Sequence, residues 1–113
     1  MRSYIGCDVV KVSRIKKMML SQSVLKKVFH PSELLRFEAE HLAGVFAAKE
    51  ATFKALGLES DSWLLLEVQH RPSGKPELIM ASQINDSKIL SLDCSIAHDG
   101  GLAFAVVTVL KEE

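Results

Sequence analysis

Between His41 and Leu56 the small residues Ala43, Gly44, Ala47, Ala48, Ala51 and Ala55 recur along one segment with helical signal, and Gly57 follows where a left-handed stop is expected. So little side chain lets a neighbouring backbone come close, and close approach is how such a helix buries its surface. The rest of the chain supplies that neighbour as strands. Tyr4–Val10 reads as a strand ahead of the helix. Trp63–His70, Glu77–Ala81, Leu92–Ala97 and Leu102–Val109 read as strands after it. Pro72-Ser73-Gly74-Lys75-Pro76 and Gly100-Gly101 are turn signals between them. A strand, then helices, then mostly strands predicts an α+β fold. An antiparallel sheet packs on one long helix, in a single domain over residues 1–113.

Shorter helices are expected between the first strand and the long helix. Ser13 is placed to cap one, with Val12, Ile15 and Met19 on one face and Arg14, Lys17, Met18 and Ser21 on another. A second is expected over Ser23–Phe29. Pro31 suits the first turn of a third that carries Leu34, Leu35 and Phe37.

Charge is zero overall but unevenly spread. Residues 1–54 carry a net +5 and residues 55–113 a net −5. Between Asp8 and Glu33 there are six lysines and arginines and no acid, a patch that attracts an acidic partner if it is more than a solvated helix face. Aromatic residues make up 6% of the chain, too few for a stacking platform on nucleic acid. No apolar run is long enough to span a membrane, and no secretory leader is read at Arg2–Asp8. Cys7 and Cys94 lie in apolar runs without a C-x-x-C pair, so both are expected as reduced, buried thiols of a cytoplasmic protein.

Four groups of residues have chemical potential. Asp8 interrupts the apolar run from Ile5 to Val12, where a carboxylate needs a cation or hydrogen-bond donors, as a cap or as a metal ligand. Glu50 and Lys54 are one helical turn apart, a plain ion pair or a working pair on a largely apolar segment. Ser95-Ile96-Ala97-His98 ends a strand, and the Pro-Ser-Gly-Lys-Pro turn stands before another. There is no phosphate-binding P-loop, no G-x-S-x-G elbow and no zinc-ligand spacing.

In order along the chain, these groups resemble one family. Ile5-Gly6-Cys7-Asp8-Val9-Val10 with Arg14-Ile15, then Phe46-Ala47-Ala48-Lys49-Glu50-Ala51 with Lys54-Ala55-Leu56-Gly57, are similar to the first and central motifs of holo-acyl-carrier-protein synthases. Ser73-Gly74-Lys75-Pro76 and Ser95-Ile96-Ala97-His98 are similar to their later motifs. The resemblance implies a 4′-phosphopantetheinyl transferase-like fold, commonly assembled as a homotrimer with sites between subunits. It implies transfer of 4′-phosphopantetheine from coenzyme A to a serine of an apo-acyl-carrier protein, leaving holo-carrier and 3′,5′-ADP. Asp8 and Glu50 match the family's magnesium ligands, and Lys54 its diphosphate-side lysine. Lys49, Gly74, Lys75, Pro76 and His98 fall near coenzyme A. Glu50 or a metal-bound water is the expected proton acceptor. Arg14, Lys17 and Met18 are expected to meet an acidic carrier protein of a fatty acid, polyketide or peptide pathway.

The chain departs from that pattern in places. Val45 stands where the family usually has arginine, and Leu58-Glu59-Ser60 replaces a loop that usually contains glycine. Two rival readings follow. One is a divergent member that binds a carrier protein without transfer. The other is a nucleic-acid-binding domain using Lys11–Lys27, weakened by zero net charge and few aromatics.

Overall fold

A computed structural model describes residues 1–59, 62–82, 84 and 87–113. Ser60 of the expected loop departure lies outside the described residues. The elements run β1 (Arg2–Lys11), α1 (Val12–Met18), α2 (Gln22–Val28), α3 (Pro31–Leu34), α4 (Ala39–Leu56), a 3₁₀ turn (Trp63–Leu65), β2 (Leu66–His70), β3 (Pro76–Met80), β4 (Ile89–Asp99) and β5 (Leu102–Lys111). The α+β architecture matches the expectation. An antiparallel sheet of order β1-β5-β4 lies against α4, and β2 and β3 form a separate antiparallel hairpin.

The small residues of α4 meet the sheet as their size demands. Gly6 of β1 crosses the helix so closely that a Cβ on it would lie 2.0 Å from the carbonyl oxygen of Ala51 and 2.8 Å from the nitrogen of Ala55. Ala103, Ala105, Val107 and Val109 of β5 are fully buried on the same side. The other side of α4 is covered by Ile15, Leu25, Val28 and Phe29 from α1 and α2 and by Val68 from β2. Leu42 to Lys49 is therefore buried without a break, unlike the one-sided burial of a surface helix. Gly57 takes φ 68° and ends α4 as its position predicts.

Boundaries moved where tertiary contacts outweighed local signals. Ser13 does not cap α1. Strand β1 runs straight to Lys11, which is the N-cap without a side-chain bond, and the first helical N–H, that of Val12, donates to the carbonyl of Gly101. Capping by a side chain occurs instead at Ser21, whose oxygen accepts from the Val24 N–H. Met19, Leu35 and Phe37 fall beyond the helices assigned to them. Trp63–Leu65 turns before β2 begins.

The cysteine expectation needs one correction. Cys94 is buried, and burial pushes its thiol up to about 11. Cys7 is exposed, because alternation along β1 sends Tyr4, Gly6, Asp8 and Val10 toward α4 and Ile5, Cys7 and Val9 outward. Ile5 and Val9 are 70% and 58% exposed, and Phe104 of β5 is 44% exposed, so part of the sheet's outer face is apolar and open.

Candidate active site

The alternation that buries Gly6 also aims Asp8 at α4. Asp8 stands two positions beyond the backbone contact at Gly6, so the tight crossing there fixes where its carboxylate arrives. It arrives beside Lys54, whose ammonium donates to Asp8 Oδ1 at 3.0 Å and to the carbonyl of Cys7 at 2.9 Å. Asp8 is mostly covered, with 18% of its side chain exposed, while Lys54 remains 58% exposed. The hydrogen bond to Asp8 holds the Lys54 ammonium above its usual range.

Glu50 stands one turn before Lys54 and is half-buried. Burial pushes its carboxyl up, and the nearby charge of Asp8 pushes it further; Arg14 and Lys54 pull it back. The expected pair of Glu50 with Lys54 is thus a field effect, and the direct ion pair goes to Asp8. Nε1 of Trp63 is a buried side-chain polar atom without a hydrogen-bond partner, and the indole N–H dipole lies close enough to favour the Glu50 carboxylate. Trp63 stacks on Phe46 at 6.1 Å between ring centroids, and the Arg14 guanidinium lies 5.0 Å from the centre of the Phe46 ring. With Met18, Val24, Lys27 and Val28 these three line a cleft of about 280 Å³. Sequence reasoning placed Trp63 in a strand and gave it no role. Its distance from Glu50 in sequence hid it.

The remaining expected residues divide. Gly74, Pro76 and His98 meet at one cleft of about 250 Å³ beside Gly44. Gly74 has φ 91°, and its N–H donates to the Arg71 carbonyl to close the β2–β3 turn. Lys75 points elsewhere, donating to Asp93 Oδ1 at 2.8 Å. Lys49 does not belong to any binding surface, a correction to its expected place near coenzyme A. Its side chain is wholly buried, and Nζ donates to Glu33 Oε1 at 2.7 Å and to the Val28 carbonyl at 2.8 Å. Glu33 in turn accepts from the His30 and Val68 N–H groups, each at 2.7 Å. This network ties α2, α3, α4 and β2 together. Burial lowers the Lys49 ammonium from its usual range, with Glu33 opposing. Val45 is also buried, at 1% exposure.

Among the described residues, no group of three or more histidine, cysteine, aspartate or glutamate side chains gathers as a metal cage. Two converging carboxylates are a different donor set. Their oxygens are hard, their charges are only partly offset by Lys54, and the repulsion between them is felt at Glu50. Such a pair suits magnesium, which commonly takes one or two carboxylates and fills its shell with phosphate oxygens and water.

The arrangement of the first strand, long helix and glycine turn has counterparts among known proteins. The model of the 4′-phosphopantetheinyl transferase superfamily matches residues 4–107. The chain belongs to that superfamily. It is 40% identical to a holo-[acyl-carrier-protein] synthase of Nautilia profundicola, over 95% of this chain and 99% of the relative. It is 36% identical to the synthase of Campylobacter jejuni, over 94% and 98%. In three dimensions it is similar to the crystal structure of the Helicobacter pylori holo-[acyl-carrier-protein] synthase in complex with coenzyme A. There the TM-score is 0.83 at 34% identity, covering 93% of this chain and 98% of the other. Superfamily membership therefore spans the strand, the helix and the turn that hold the residues described above.

Proposed function

We propose that this chain transfers the 4′-phosphopantetheine arm of coenzyme A to a serine hydroxyl of an apo-acyl-carrier protein, releasing 3′,5′-ADP. The observation that carries this reading is the convergence of Asp8 from β1 with Glu50 and Lys54 from α4. Full-length similarity to holo-[acyl-carrier-protein] synthases supports it.

Asp8 and Glu50 would hold magnesium. When bound, that ion neutralises charge on the coenzyme A diphosphate and polarises the phosphorus under attack. The chain's own groups account for the rest. The serine oxygen forms a bond to the phosphorus that bears pantetheine, and the bond from that phosphorus to the bridging oxygen breaks. The electron pair leaves with 3′,5′-ADP. Glu50 receives the serine proton, as a half-buried carboxylate placed beside the diphosphate site. Lys54 keeps its proton and stabilises charge on the departing phosphate. Catalysis is mostly placement and charge, as phosphoryl transfer requires.

Arg14 and Lys17 are exposed on α1, and Met18 lies half-buried beside the cleft that leads to Trp63. Together they offer an acidic carrier two charges and an apolar contact. The open sheet face with Ile5, Val9 and Phe104 supports assembly as a homotrimer, since exposed apolar surface of this kind favours an interface. No described helix is long and apolar enough to cross a membrane.

The test is the intact mass of an apo-acyl-carrier protein after incubation with the chain, coenzyme A and magnesium. Gain of one phosphopantetheine, abolished by chelator, is expected. A carrier that binds the chain and gains no mass would favour the non-catalytic reading.

A further inference from the structure

Trp63 is the chain's one tryptophan, and it stands where the apolar cleft beside α1 meets the carboxylate of Glu50. The indole is held from several sides. Its 3₁₀ turn, Trp63–Leu65, is tied to the N-cap of α3, where the His30 ring bonds through Nε2 to the Leu64 carbonyl at 2.8 Å. The same turn is tied to the strand hairpin, where the Ala81 N–H, just past β3, donates to the Leu65 carbonyl at 2.8 Å. Stacking on Phe46 of α4 fixes the ring plane. Yet Nε1, which can only donate, is buried and has no hydrogen-bond partner among the described residues.

A buried N–H without an acceptor is costly, and in native folds such a group often marks a catalytic group or an ion nearby. The acceptor at hand is Glu50, whose carboxylate the indole N–H already favours. The cationic donors around Glu50 are engaged elsewhere. Lys54 donates to Asp8 and to the Cys7 carbonyl, and the Arg14 guanidinium lies over the Phe46 ring. Glu50 has two tasks, to hold a cation and to take the serine proton. A carboxylate with two tasks needs its rotation fixed, and a donor on a rigid turn fixes it.

We propose that Trp63 is a positioning residue for the transfer: its Nε1–H donates to one carboxylate oxygen of Glu50 and so turns the other toward Asp8. The inference rests on Glu50 serving as ligand and base of a transferase. Trp63 touches neither the serine nor the phosphorus. It acts through Glu50, so its effect should vanish when Glu50 is gone. Trp63→Phe is the discriminating change, because it keeps an aromatic ring against Phe46 and removes the N–H.

Two measurements test this. The first is proton–nitrogen NMR of the single indole N–H, in the wild-type chain and in Glu50→Ala, each with and without magnesium. The resonance is expected to lie further upfield in Glu50→Ala, and to shift with magnesium in the wild-type chain alone. The second is a double-mutant cycle on the transfer rate. Trp63→Phe is expected to lower kcat about tenfold, to leave KM for coenzyme A within about twofold, and to cost nothing more in the Glu50→Ala background. A ring that serves packing alone would lower both backgrounds equally. The spectra need no change at residue 63, so they decide the matter even where Trp63→Phe folds poorly. An indole resonance indifferent to Glu50→Ala, no loss in Trp63→Phe, or equal losses in both backgrounds overturns the inference and leaves the transferase reading intact. Failure of the wild-type chain to transfer at all overturns both.

Discussion

At the scale of residues, the account depends on how two carboxylates share space with one lysine. Asp8 has a direct partner in Lys54, whereas Glu50 has a cover of Trp63 and Phe46 and a like charge nearby. The Glu50 carboxyl of the metal-free protein should therefore titrate above the ordinary glutamate range, and Asp8→Asn should bring it down by removing the neighbouring charge. Carbon-13 NMR of the side-chain carboxyl measures both. A Glu50 titration unmoved by Asp8→Asn would show that the two groups do not face one site. Lys49 presents the opposite case, a charge used for structure. Lys49→Met leaves Glu33 buried and unpaired and should lower stability by about 3–5 kcal/mol in urea unfolding, the usual cost of breaking such a pair. Its position inside a family-like motif gave no sign of this, because the partner Glu33 lies on another helix and burial is not written in the local sequence.

At the scale of elements, the crossing of β1 over α4 positions the chemistry. A methyl group at residue 6 would collide with the backbone of Ala51, which cannot rotate aside as a side chain can. Gly6→Ala should destabilise the fold at the upper end of the roughly 1–3 kcal/mol typical of overpacking. It should also cut transfer more than stability alone explains, since Asp8 is carried on the displaced strand. Comparing the transfer rate of the fully folded variant at low temperature with its unfolding midpoint separates the two effects. Much of this crossing was legible in advance. The alanines and glycine of α4 announced a close neighbour and Gly57 marked the stop, but the face of β1 was not read, since Cys7 was expected buried and lies outward. Less legible were the ends decided by contacts across the chain. Ser13 has the chemistry of a cap, yet the Gly101 carbonyl reached the helix first. Trp63 has the composition of a strand residue, yet its chain turns there to bring the indole to Glu50.

At the scale of the molecule, the uneven charge of the two halves becomes a division of surfaces. Arg14, Lys16, Lys17, Lys26 and Lys27 lie outward on α1 and α2, and Arg14 and Lys27 line the cleft with Trp63. Attraction of this kind speeds encounter and is screened by salt. Raising ionic strength should slow capture of an acidic carrier much more than it weakens coenzyme A, as stopped-flow mixing can follow. Replacing Arg14 and Lys17 together by glutamine should flatten that salt dependence. A capture rate indifferent to salt would remove the role given to α1. The central claim is that Asp8 and Glu50 work as one divalent-ion site that grips a diphosphate, and the magnesium dependence of the transfer rate tests it most directly. Measured from trace to saturating magnesium, Glu50→Gln should need far more metal than the wild-type chain and should still fall at least about a hundredfold short at saturation, on the scale of losing general-base catalysis. Full wild-type rate for Glu50→Gln at saturating magnesium would contradict the account.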